Sequence, residues 1–171
     1  AQGFRRLDAL PLNLQEQLLR LAGIRDNKKD LYQQTGLFDH WGVLGQFEGI
    51  NIDNGRFRRT WFRGAQSRKI ALLLDYDYQN RGFDTQWGVG QIYSGEMVYY
   101  PANYLQRALL KNPQLEKPFI RQLKGYPNAE AFRQDYATAL AANPWLPDFP
   151  CCLEKMTPVL EDDQLLLIDE A

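Results

Sequence analysis

Apolar residues Leu14, Leu18, Leu21 and Ala22 fall at i, i+4 and i+7, the spacing that gathers side chains on one helix face. Pro11 suits a first turn and Gly23 a left-handed stop, so the pattern predicts a helix over residues 12–22. A second short helix is expected over about 27–34, capped by Asp26 and ended by Gly36. From Trp41 onward the period becomes two. Trp41, Val43 and Phe47 fall on one face of a strand over about 41–49, and Asp53-Asn54-Gly55 is a hairpin signal. The next strand sets Phe57, Arg59, Trp61 and Arg63 on one face and Arg58, Thr60 and Phe62 on the other, and Gly64 opens a turn. Ile70 to Leu74 reads as a strand buried on both faces that emerges through Asp75-Tyr76-Asp77-Tyr78 to a turn at Asn80-Arg81-Gly82. Segments 91–100 and 105–110 bring the count to about five strands joined by short loops, an antiparallel meander.

Beyond Lys111 the composition shifts. Seven prolines punctuate the rest of the chain, from Pro113 to Pro158, around one helix over 129–142 marked by Phe132, Tyr136, Ala139 and Leu140. Residues 165–168 read as a final strand, and Glu161, Asp162, Asp163, Asp169 and Glu170 make the end acidic. The expectation is an α+β fold in two parts. Residues 1–111 form a helical lead-in and an antiparallel sheet that either stays open or partly closes into a barrel. Residues 112–171 form a proline-rich lobe with one helix.

With 171 residues, 44% of them hydrophobic, the chain can bury a real core, and no apolar run approaches the roughly 18–20 residues that span a bilayer. The start lacks the pattern of a secretory leader. Cys151 and Cys152 are adjacent, too close for an ordinary disulfide, which fits a reducing, cytoplasmic setting.

Catalytic chemistry is poorly supplied. His40 is the only histidine, so a nucleophile at Ser67, Ser94 or a cysteine would need it as base. One histidine and two adjacent cysteines cannot make a four-ligand zinc site. Asp75 and Asp77 resemble the start of a calcium loop, but Asn80 and Gln86 stand where glycine and glutamate are needed. Gly88-Val89-Gly90 lies between strands instead of opening a helix, so it cannot cradle phosphate as a glycine-rich loop does. No enzyme activity, cofactor or metal is expected.

One stretch stands out by charge. Residues 56–69 carry six bases and no acid on a chain of net charge −1. Arg56, Arg58, Arg59, Trp61, Arg63, Arg68 and Lys69 are candidate contacts for a nucleic acid or another partner, with arginines on phosphates and aromatics stacked on bases. The competing reading buries Phe57 and Trp61 and lays the guanidinium groups over aromatic rings or against Asp75 and Asp77. A sequence pI of 5.9 favours the latter.

Six motifs occur in order: Trp41-Gly42-Val43-Leu44-Gly45-Gln46, Arg58-Arg59-Thr60-Trp61-Phe62-Arg63-Gly64, Ala71-Leu72-Leu73-Leu74-Asp75, Val98-Tyr99-Tyr100-Pro101, Arg107-Ala108-Leu109 and Asn143-Pro144-Trp145-Leu146-Pro147-Asp148-Phe149-Pro150. Together they resemble the carboxy-terminal half of bacterial SWIM-type zinc-finger proteins, over about residues 10–168. The finger, two close cysteines followed by Cys-x-His, is absent, so the chain resembles a domain cut from a longer protein. The resemblance implies a non-catalytic domain accompanying a finger that binds DNA or protein. It brings no zinc ligands or catalytic residues. The expected function is docking of a protein partner or another part of the parent chain, with 149–153 and the acidic end as further contacts. The alternative is nucleic-acid binding through the basic strand.

Overall fold

Alternation in the first two-thirds of the chain builds a five-stranded antiparallel sheet, seen in a computed structural model. It describes residues 6–21, 28–51, 54–77, 81–102, 104, 106–116, 125–144, 146, 148–154 and 156–169. Ala22, Gly23, Asp26, Asn27, Asp53, Tyr78, Asn80, Leu105, Trp145, Pro147 and Glu170, named above in expected elements or motifs, lie outside these. The chain divides into two compact units, Ala1–Ile120 and Arg121–Ala171.

In the first unit a 3-10 turn, Leu7–Ala9, precedes helices α1 (Leu12–Leu21) and α2 (Lys28–Gln33). The strands are β1 (Leu37–Ile50), β2 (Arg56–Gly64), β3 (Ile70–Asp77), β4 (Ile92–Tyr99) and β5 (Ala108–Glu116). Their order is β3-β2-β1-β4-β5, so the expected meander is corrected. After two hairpins the chain passes over β2 and β1 to place β4 on the far side of β1. The connection does this because it carries two rings that need burial, Phe83 and Trp87. Trp87 packs edge-on against Phe62 and Tyr93, with centroids at 5.2 and 5.0 Å.

One face of the sheet, here the inner face, holds the core: Trp41, Val43, Phe62, Ala71, Leu73, Trp87, Tyr93, Met97, Ala108 and Leu110. The Trp41 indole N–H donates to the Gly95 carbonyl at 3.0 Å, so that ring is buried without an orphaned donor. Full burial of side chains such as Phe62 and Val43 is worth about 1.5–3 kcal/mol each. On the outer face a smaller cluster, Leu31, Val98, Tyr100 and Leu109, forms where α2 meets β4 and β5. There Gly36 N donates to Glu96, whose carboxylate also holds Lys111 Nζ at 2.8 Å. A Cβ at Gly36 would stand 2.6 Å from the Met97 carbonyl oxygen, so only glycine allows this approach.

The edge strands β3 and β5 touch at one isolated parallel bridge, Leu72 to Arg107, and Leu72 N donates to Gln106 O at 2.8 Å. The sheet curls, but it is not closed into a barrel.

Two bulges shape the sheet. In β1 the register passes from Val43 opposite Phe62 to Gly45 opposite Trp61, leaving Leu44 over. Val43 N donates to Gln91 O and Gly90 N donates to Val43 O, each at 2.9 Å, so the Gly88-Val89-Gly90 turn fastens onto this bulge. In β5 the register breaks opposite Ser94 and Glu96, with Asn112 at φ 49° and Pro113 beside it. A proline can be tolerated there because the bulge needs no donor from it. The strand expected to end at Leu110 therefore continues to Glu116.

In the second unit α3 (Ala129–Ala142) starts at Asn128, whose side-chain oxygen accepts from Ala131 N at 2.8 Å. Phe132, Tyr136 and Phe149 pack with centroids 5.3–6.0 Å apart. The strand foreseen over 165–168 is β7 (Gln164–Asp169). It pairs with β6 (Met156–Glu161), which the pattern did not reveal, through a turn with Asp162 and Asp163 both at positive φ. Among the described residues no helix is long and apolar enough to cross a membrane.

Candidate interaction face

The two rows of β2 lie opposite to the reading that buries Phe57 and Trp61. Thr60 and Phe62 are buried on the inner face together with Arg58, 1% exposed, whereas Phe57, Arg59, Trp61 and Arg63 are half-buried on the outer face. Counter-ions explain the choice. In register, Arg58 faces Asp75 and Arg56 faces Asp77, while Arg59 and Arg63 face Leu74 and Ile70. On the β3 side only the inward arginines are faced by carboxylates, and a buried charge needs one.

Arg58 Nη2 lies 3.0 Å from Asp75 Oδ2 and also donates to the Thr85 carbonyl, while Nη1 donates to Gln86 Oε1 at 3.3 Å. Its guanidinium sits 4.4 Å from the centroid of the Phe83 ring. Arg56 joins Asp77 Oδ2 at 3.3 Å and Glu48 Oε2 at 3.1 Å. Asp77 Oδ1 accepts from Gly82 N at 3.0 Å. Asp75 and Asp77 are thus engaged by arginines. Among the described residues no three His, Cys, Asp or Glu gather as a metal site.

The rest of the basic stretch faces outward. Arg59 lies over the Phe57 ring at 5.2 Å, and Phe57 packs on Phe47 at 6.1 Å. The Leu44 bulge turns Phe47 away from Trp41 and Val43, correcting the expectation that the three share a face. Phe47 is 57% exposed and Tyr76, opposite Phe57, 40%. Trp61 and Arg63 are half-buried in the same row, and Arg68 and Lys69 are exposed on the β2–β3 turn. The acids of β1, β2 and β3, which are Asp39, Glu48, Asp75 and Asp77, all occupy inner-row positions. Cations and aromatics therefore share the outer face of these strands without an acid among them.

Asp39 fixes the end of this face. Its carboxylate accepts from His40 N at 2.7 Å, Ser67 N at 2.8 Å and Gln66 N at 3.2 Å, stapling the β2–β3 turn to β1. Burial alone would push its carboxyl up. The Ser67 hydroxyl and these backbone donors outweigh burial and hold it below the usual carboxylate range. A Cβ at Gly64 would stand 2.2 Å from Ser67 Oγ and 2.5 Å from Asp39 Oδ2, which is why glycine follows Arg63.

His40 lies directly across from Ser94 in the β1–β4 register, with Glu116 Oε1 3.9 Å from its Nδ1. No hydrogen bond joins His40 to Ser94, and the pair sits on the sheet's outer face. Ser67 serves the Asp39 staple. Cys151 and Cys152 are free thiols, and burial followed by the neighbouring Cys152 pushes the Cys151 thiol up, away from a thiolate nucleophile.

The basic stretch is thus not one site but two. Arg56 and Arg58 belong to an inner ion-pair array, Arg59, Trp61 and Arg63 lie on the outer face, and Arg68 and Lys69 sit on the β2–β3 turn at its end. Phe47 and Tyr76 join that face although charge patterning did not single them out. A hairpin register with the bulge placed at Leu44 would have revealed them. Compared with models of protein families, with curated proteins and with solved structures, the chain matches none.

Proposed function

We propose that this chain is a non-catalytic interaction domain that docks a protein partner, or another part of its parent chain, through the outer face of β1, β2 and β3. The outer-face ribbon of exposed Phe47 and Tyr76 with half-buried Phe57 and Trp61, interleaved with Arg59 and Arg63, carries this reading. Trp, Tyr and Arg are the side chains that dominate binding energy at protein interfaces. The six ordered motifs support kinship with the region accompanying a SWIM-type finger. Residues 149–153 and the acidic end are secondary contacts in the same reading.

The test is quantitative affinity capture with the parent domain, a Phe47→Ser/Trp61→Ser variant and a control changed at exposed Arg133. A partner held by parent and control and lost by the ribbon variant supports the proposal. Identical capture by all three overturns it.

One observation favours nucleic acid as a second reading. Residues 1–120 carry sixteen Lys and Arg against twelve Asp and Glu, whereas 121–171 carry four against nine. The low pI therefore belongs to the second unit, and the unit bearing the acid-free face is basic at +4. Labelled single-stranded DNA and RNA, titrated at low and moderate salt, test this. Binding should weaken steeply with salt, and Arg63→Ala should lower the salt slope by about one. Absence of binding at low salt removes the reading.

A further inference from the structure

Beyond the Leu72–Arg107 bridge the edge strands β3 and β5 diverge, and a cleft of about 190 Å3 lies between them, roofed in part by α2. Because the sheet stops short of closure here, the cleft reaches core residues. Trp87, 7% exposed, lines it, and its indole N–H has no hydrogen-bond acceptor among the described residues. A buried donor left unpaired is costly, and a ligand acceptor would recover that cost.

Charge is placed at the same cleft. Lys28 and Asp84 line it, both exposed, and neither has a counter-ion among the described residues. Asp75 also lines it but is engaged by Arg58. The strand edge adds main-chain groups. Leu72 N–H points away from β2 toward Gln106, and groups on one edge recur every second residue, so the N–H and C=O of Leu74 turn toward the gap. Arg107 is a second cation in the lining, laid over the Tyr100 ring at 4.7 Å. Lys28, Asp84, a buried N–H donor and a strand edge make a complementary surface for a molecule with both charges and a short polar backbone. The volume suits an amino acid and falls below the usual range for larger ligands.

We propose that this cleft binds a free α-amino acid. Its carboxylate is received by Lys28 and the Trp87 indole N–H, and its ammonium by Asp84. None of these residues belongs to the outer face of β1, β2 and β3, so either proposal can fail without the other.

The experiment is thermal denaturation and calorimetric titration of the whole chain with each of the common L-amino acids at about 10 mM, where a weak ligand still raises the melting temperature by mass action. The expected result is stabilisation by at least one of them. Its N-acetyl and carboxamide derivatives, each lacking one charge, should bind about tenfold more weakly, as loss of a charge-assisted contact implies. Lys28→Ala and Asp84→Ala should leave the melting of the free protein unchanged and weaken binding to the same degree. Trp87→Phe keeps the ring packing and should weaken binding several-fold. No stabilisation by any amino acid overturns the proposal, as does stabilisation that survives Lys28→Ala and Asp84→Ala. Equal binding of the blocked derivatives overturns it too.

Discussion

Arg58 and Arg59 are neighbours of the same type, yet alternation gives them opposite fates: one is held under Phe83 by Asp75, and the other lies over Phe57 on the surface. Truncating Arg58 strands part of the Asp75 charge and empties space under Phe83. Because Asp75 keeps some contact with water, Arg58→Ala should cost about 2–3 kcal/mol in urea denaturation, toward the lower end for a broken buried pair. Arg68→Ala, on the exposed turn, should stay within about 0.5 kcal/mol. Asp39 makes a pH-dependent contribution. Its folded carboxyl lies below the unfolded value near 4, so its stabilisation is complete above that value and is lost as pH falls through the folded pKa. Melting temperature should therefore drop more between pH 6 and pH 3 in the parent than in Asp39→Asn, and parallel curves would refute this. Asp39→Asn itself should cost about 1–3 kcal/mol at neutral pH.

Elements depend on where extra residues are stored. Inserting one residue between Gly45 and Gln46 would flip the rest of the strand, turning Phe47 inward and Gln46 and Glu48 outward. Gln46 Nε2 would lose the Trp87 carbonyl at 2.9 Å, and Glu48 would lose Arg56. The expected outcome is loss of the cooperative near-ultraviolet transition, whereas Leu44→Ala, which keeps the count, should retain it. Gly64→Ala should cost about 1–3 kcal/mol by overpacking the Asp39 staple, read from the denaturation midpoint. Much of this level was legible in the sequence: the hairpin at Asn54-Gly55, the strand beginning at Ile70 and the helix over 129–142 follow from period and turn chemistry. Bulges erase the same signal. The parity of Phe47 relative to Trp41 depends on one residue that pairs with nothing. Pro113 reads as a stop although a bulge accommodates it, and β6 lacks alternation because most of its residues are exposed. The ion pairs that decide which row of β2 faces inward come from β3, so they appear only once the register is known. The cleft depends on strands far apart in sequence, and no local pattern announces it.

At the scale of the molecule the two units differ in how much they bury. The first holds the ten-residue inner cluster, whereas among the described residues Ala139 is the one buried residue of the second. Protection from hydrogen exchange follows burial, so amides of β1, β2 and β4 should exchange slowest and those of β6 and β7 fastest. Equal protection across both units would contradict this. Pro113 and the left-handed Asn112 also govern how one molecule meets another. A sheet's last strand is a template on which a second chain can crystallise its own backbone, and a residue without an N–H, set in a kink, spoils the template. Concentrated solutions should stay clear for that reason, and Pro113→Val should make them scatter light.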